Sequence, residues 1–354
     1  MIIVKDRNKF SFRYMMHLFL LLTFFCIALL SFSNIERSYS PLKYNGPSTL
    51  NDLLDHYKEY KTDFKVFVYK TYIFQQGDSK TSKNSFYFLF PVFLGVDLMG
   101  GLSFSNLYRV TIVFGLISLL ILFLFLKSYW NTYIAFFSCL FYGVSPWFQE
   151  LFRTETYHGP TVLIALLILY TSFKFIEKKC DDFYIVLPFI IGILIGISYY
   201  YYGVIRGLFI FAIIIIAICK ENKVKNFFMF FFGIFLVLAW GIYLRLDNGG
   251  IFFDEENFLT VSRPLRALIK RNFSILSQIF TPIVDQSSPS EFATHSRLLH
   301  PYLFLPFILG FIYSMMQKQR NYRLFKIFSL VIYLSILVTS NCQVRRLTLM
   351  IIPI

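Results

Sequence analysis

Nine blocks along the chain are almost free of charge: residues 14–32, 110–126, 132–148, 160–173, 183–198, 204–219, 226–244, 301–316 and 325–339. Each approaches the roughly 20 residues needed to cross a bilayer core of about 30 Å. A backbone in lipid must satisfy its own hydrogen bonds, so each block predicts a helix. A further apolar stretch, Phe86 to Gly100, contains Pro91, Gly95, Asp97 and Gly100. A full span there would invert every later loop, so it predicts a helix lying in the outer membrane interface. The pattern as a whole predicts an all-α polytopic transmembrane bundle of about nine spans. It forms a single membrane domain over 1–354, with long outer loops at 33–106, which carries the interfacial helix, and at 246–300.

Composition strengthens this reading. The chain is 56% hydrophobic, with 45 Phe and 24 Tyr, and its mean hydropathy is +0.60. Soluble chains run nearer 45–50% apolar. A net charge of +14 suggests nucleic acid until its placement is read. Lys5, Arg7, Lys9 and Arg13 precede the first span, and Lys127 follows the second. Lys174, Lys178 and Lys179 follow the fourth, and Lys220, Lys223 and Lys225 the sixth. Lys318, Arg320, Arg323 and Lys326 follow the eighth. The opposite short loops carry only Arg153, Arg206, Arg345 and Arg346. That asymmetry predicts a cytoplasmic N-terminus with odd spans running outward and even spans running back. No basic soluble face remains to bind nucleic acid.

The first span has the basic start of a signal peptide, but Ser31 to Glu36 offers no small-x-small cleavage site. It reads as a retained anchor. Cys26, Cys139, Cys180, Cys219 and Cys342 show no metal-like spacing and read as small apolar residues. Arg263, Arg266, Lys270 and Arg271 suggest an amphipathic helix in the second outer loop.

Several short motifs then fall in a telling order. Phe88-Leu89-Phe90-Pro91 ends in Gly101-Leu102-Ser103, and Ser105-Asn106-Leu107-Tyr108-Arg109 opens the second span. Ser145-Pro146-Trp147 and Arg153 follow the third span, ahead of Glu155, His158 and Pro160. Gly196-Ile197-Ser198-Tyr199 leads through a tyrosine run to Arg206, and Val344-Arg345-Arg346 precedes Pro353. This order resembles the GT-C superfamily of polytopic glycosyltransferases, which includes protein O-mannosyltransferases and the lipid A aminoarabinose transferase. The resemblance implies transfer of a sugar from a polyprenyl-phosphate donor to an envelope glycan, lipid or protein acceptor at the outer face. Where the family places an acidic pair after the first span, this sequence has Asn34-Ile35-Glu36-Arg37. Where the family begins another span, the chain reaches Ile354, and residues 347–354 are too short to cross. That ending suggests a truncated product.

The chemistry asks for few residue types. A carboxylate near the first span serves as general base for the acceptor, and Glu36 stands nearest, with Glu155 the second candidate. The leaving lipid phosphate favours the rigid donor fork of arginine. Arg109, Arg153, Arg206, Arg345 and Arg346 sit at outer span ends, where such a head group would lie, and His158 is close by. Each has an ordinary structural use as well. Glu36 pairs readily with Arg37, Arg153 with Glu155, and arginines at span ends snorkel to the interface. The acids Asp254, Glu255 and Glu256 read as a solvated turn. No P-loop, GxGxxG or HExxH occurs, so no cofactor is expected; no multi-carboxylate cluster calls for a metal, and the sequence leaves dependence on a divalent metal open. Two other classes compete. A transporter or flippase would place charges and broken helices inside the spans. A non-catalytic remnant would fit the missing acidic pair.

Overall fold

The computed structural model describes residues 19, 22–30, 32–33, 47–67, 86–145, 148, 152, 158–177, 186–199, 207–219, 222–247 and 301–337. Among these, all regular structure is helical. The helices are α1 (Pro47–Thr62), α2 (Phe86–Leu98), α3 (Phe104–Tyr129), α4 (Thr132–Val144) and α5 (His158–Glu177). They continue with α6 (Val186–Tyr199), α7 (Leu208–Ile218), α8 (Lys223–Asp247), α9 (Pro301–Met316) and α10 (Arg320–Leu337). Residues 22–30 are also helical. The expected amphipathic helix around 263–271 and the acids at 254–256 lie outside the described residues.

Ser105–Tyr129 alone among the described residues is both long and apolar enough to cross a membrane. Thr132–Val144, Val186–Tyr199 and Leu208–Ile218 are shorter apolar helices. The helical bundle is therefore established, while the number of crossings stays an expectation. Apolar side chains also cover much of the outside. On α8, Phe228, Phe235 and Leu236 are exposed, and on α9 Leu305, Leu309 and Met316. Water would penalise such a surface, whereas lipid tails solvate it at no cost.

Side-chain pairs set the helix directions. Phe125 of α3 meets Phe173 of α5 with ring centroids 5.0 Å apart, and further along Tyr129 donates to Glu177 Oε2 at 3.1 Å. Both registers advance together, so α3 and α5 run parallel. Between them, α4 returns antiparallel: Gly143 approaches Leu119, whose carbonyl also accepts a hydrogen bond from the Cys139 thiol. Likewise Gly192 faces Gly233 and Gly196 faces Val237, which makes α6 and α8 parallel with α7 intervening.

The C-termini of α3 and α5 thus share one end of the bundle with the start of α10. Arg320 Nη2 donates to the Ile176 carbonyl at 2.9 Å, and Asn321 Nδ2 to the Tyr129 carbonyl at 3.0 Å. Carbonyls in a last helical turn lack partners of their own, and α10 supplies them from its first turn. This is the end that the charge pattern of the sequence leads one to expect at the cytoplasm. The start of α3, the end of α4 and the start of α5 lie at the opposite end.

Two apolar clusters result. The larger fills the space between α3 and the helices from α4 to α10, with Phe173, Ile191, Phe211, Phe230 and Phe328 deeply buried. The smaller joins Phe67, Val92, Phe93, Val96, Leu107 and Val110. It packs α1 and the turn after it onto α2 and the first turns of α3. At 13 residues, α2 is about 20 Å long, too short to cross.

Candidate functional site

The end of the bundle where α3 begins is built round one turn. Helix α2 stops because Gly100 and Gly101 take positive φ, +96° and +105°. Only glycine does this without strain. Gly101 N–H reaches back to the Val96 carbonyl at 3.0 Å and Gly100 N–H to that of Asp97 at 3.1 Å. This pair of bonds is the Schellman arrangement that closes helices at glycine. Three residues on, Ser103 caps α3 by accepting from the Asn106 N–H at 3.1 Å.

Asn106 then ties the turn together. Its amide Nδ2 donates to the carbonyls of Met99 at 3.0 Å and Gly101 at 2.8 Å. Its Oδ1 accepts from Arg109 Nη1 at 3.3 Å. Asn106 is buried, and its side chain is fully used. Arg109 is exposed, spends one donor on this bond, and sits one turn into α3. Of the residues expected to hold the lipid phosphate, it is the one whose side chain is described.

A carboxylate stands on the other side of the turn. Asp97 Oδ1 accepts from the Tyr57 hydroxyl and Oδ2 from Lys61 Nζ, each at 2.5 Å. Both partners belong to α1. The Lys61 ammonium also lies 5.8 Å from the centroid of Tyr57 and 5.7 Å from that of Tyr60, within cation–π range. Burial pushes the Asp97 carboxyl up, but the hydrogen bonds from Lys61 and Tyr57 more than offset this and leave it below the ordinary carboxylate range. Burial and then the Asp97 charge push the Tyr57 hydroxyl up to about 12. Asp97 is therefore ionised and Tyr57 neutral at physiological pH.

A second strand of contacts comes from the α4–α5 connection. Phe148 and Phe152 are both buried, with rings 4.7 Å apart. Phe152 lies in a notch left by Gly115 on α3, where an added Cβ would come within 2.6 Å of the ring. The buried Thr111 hydroxyl lies 2.8 Å from the Phe152 carbonyl and 2.9 Å from that of Tyr108, and its one proton is shared between them. Phe152, the residue before Arg153, is thereby fastened two positions from Arg109 in the register of α3.

His158 is the first residue of α5. Glu36, Arg153, Glu155, Arg206, Arg345 and Arg346 lie outside the described residues. The sequence does not single out Tyr57, Lys61 or Asp97; Asp97 reads there as part of the apolar stretch from Phe86. A signal was present: Tyr57, Tyr60, Phe64 and Phe67 recur at spacings of three and four, the mark of an apolar helical stripe.

Residues 86–242 match the family model described as dolichyl-phosphate-mannose-protein mannosyltransferase. The match runs from α2, through the turn and Arg109, into α8. It supports the GT-C superfamily, whose members are membrane glycosyltransferases. No curated protein and no solved structure matches the chain.

Proposed function

We propose that this protein is a GT-C-type glycosyltransferase of the plasma membrane. It takes a sugar from a polyprenyl-phosphate donor and passes it to an envelope glycan, lipid or protein at the outer face. The observation that carries the reading is the family match over 86–242, whose printed name specifies a lipid-phosphate sugar. The fold supports it by bringing Arg109, and Phe152 next to Arg153, to one end of the bundle, opposite the lysine-rich end.

In this mechanism Glu36 takes the proton from the acceptor hydroxyl or amine as that atom bonds to the anomeric carbon. The bond between the anomeric carbon and the phosphate oxygen breaks, and polyprenyl phosphate leaves with its negative charge. Arg109, Arg153, Arg206 and either Arg345 or Arg346 receive that charge. Glu155 orients Arg153, and His158 contacts the sugar or acceptor. No step calls for a metal. The N-terminus is cytoplasmic, and the loops 33–106 and 246–300 face outward.

Membranes carrying the full chain are offered radiolabelled polyprenyl-phosphate sugars, with Glu36→Gln alongside. Transfer to an envelope acceptor that falls at least about 100-fold in the variant is the expected result, the scale of a lost general base. Equal transfer by the variant removes Glu36 from the mechanism but keeps the enzyme. No transfer by the intact, inserted wild type overturns the proposal.

A further inference from the structure

We infer that Asp97 is a positioning residue, holding the outer-loop helix α1 against the α2–α3 turn so that Arg109 is set for the lipid phosphate. This deepens the reading of Arg109 given above and rests on it.

The polar contacts form one continuous chain. Tyr57 and Lys61 of α1 donate to Asp97 at the end of α2. The Asp97 carbonyl accepts from Gly100 N–H within the turn. The turn's carbonyls at Met99 and Gly101 accept from Asn106, which in turn accepts from Arg109. A shift of α1 relative to α2 therefore reaches Arg109 through these hydrogen bonds and the short backbone of the turn that joins them.

Stability does not account for the arrangement. Lys61 is 49% exposed and Asp97 21%, so water screens the pair, and pairs of that kind contribute little. The neighbouring apolar cluster of Phe67, Val92, Phe93 and Val96 already docks α1 onto α2. What the clamp adds is register. Its two acceptor oxygens are each used by a different α1 residue one helical turn apart, which fixes α1 along and about its own axis. Among the described residues the turn it abuts is open: a Cβ on Gly100 would meet none of them within 4 Å, and one on Gly101 would meet the Tyr57 hydroxyl at 4.0 Å. The backbone beside the clamp can thus be approached closely by a ligand.

The test measures binding of polyprenyl monophosphate to the purified full chain in detergent, together with kcat and KM for transfer from the labelled donor. Asp97→Asn, Asp97→Glu and Arg109→Ala are compared with wild type. The expected result is about tenfold weaker binding for Asp97→Asn and Arg109→Ala, the scale of one charge-assisted hydrogen bond. Donor KM should rise by about the same factor in both variants, and kcat should fall as well, because Arg109 also receives the charge of the departing phosphate. Asp97→Glu, which keeps the charge, restores most of the binding. If Arg109→Ala weakens binding and Asp97→Asn does not, the inference fails while the phosphate reading of Arg109 stands. If Arg109→Ala binds as wild type, both fail. Should Asp97→Asn not insert, Tyr57→Phe with Lys61→Met removes both clamp donors and is read by the same criteria.

Discussion

Gly192 and Gly233 face each other across the contact between α6 and α8, with no room for a methyl group on either. A Cβ on Gly192 would fall onto the Phe230 carbonyl oxygen, and one on Gly233 onto that of Phe189. Each would also lie 3.2 Å from backbone carbon of the opposite glycine. Backbone cannot swing aside as a side chain can. In lipid, helices associate through close packing of this kind, because apolar burial offers no extra driving force.

Gly192→Ala and Gly233→Ala are therefore each expected to destabilise the bundle by about 1–3 kcal/mol, the cost of overpacking a tight contact. Gly310→Ala is the control, since an added Cβ there meets nothing within 4 Å among the described residues. Thermal unfolding of the detergent-solubilised protein checks this. Unchanged unfolding temperatures for both tight variants would mean that α6 and α8 are further apart than the structure places them.

Thr111 offers a different test, because it links packing to the candidate site. Thr111→Val keeps the shape and removes the hydroxyl that bridges to the Phe152 carbonyl. An unsatisfied buried acceptor costs about 1–3 kcal/mol. Transfer activity is expected to fall more than stability does, because Phe152 directly precedes Arg153. Activity and unfolding measured on the same preparation separate the two effects. Phe152→Leu should act in the same direction by emptying part of the notch beside Gly115.

At the other end, Arg320 and Asn321 cap helices that precede them by well over 100 residues. Arg320→Gln and Asn321→Leu each leave a last-turn carbonyl without its partner. Each should cost about 0.5–2 kcal/mol, and the double variant the sum, since the two capped carbonyls lie on separate helices. Donor KM should not move, because this end is remote from Arg109. A raised KM without loss of stability would show that the two ends of the bundle are coupled.

Much of the bundle was legible in the hydropathy. Block 301–316 coincides with α9, and the stretch from Phe86 ends as a helix at Leu98, just before the glycines. Lipid makes such segments legible, since a charge-free run has only one way to satisfy its backbone there. Helix α1 was not legible on the same criterion, because its polar face faces water and only the stripe through Tyr57 and Phe67 marks it. The Asp97 clamp was less legible still. Its partners stand 36 and 40 residues away, and nothing local to an aspartate within an apolar run names them. The bond from Thr111 to Phe152 spans 41 residues and is hidden for the same reason. Contacts between distant positions are products of the fold, whereas blocks and caps are properties of neighbours.

The clamp also makes a prediction about pH, with opposite signs for its two titrating partners. Asp97 is held below its ordinary value of 3.8. Its contribution is thus fully present above that value and is lost only as pH falls through the lower folded value. Tyr57 is raised from 10.0 to about 12, so its contribution is complete below pH 10 and disappears as pH climbs towards 12. Facing these groups are Lys61 and Tyr60. Tyr60 is also raised, by burial and then by Asp97, and ionises later than a free tyrosine. Between pH 5 and 9 the docking of α1 should therefore be flat, as read by hydrogen exchange of residues 47–62 in the detergent-solubilised protein. Loosening is expected on the acid side only below about pH 4, and on the alkaline side only above pH 10. In Asp97→Asn the acid step should vanish and the Tyr57 hydroxyl should ionise closer to 10. An acid step that persists unchanged in Asp97→Asn would assign it to another carboxylate and remove Asp97 from control of the helix.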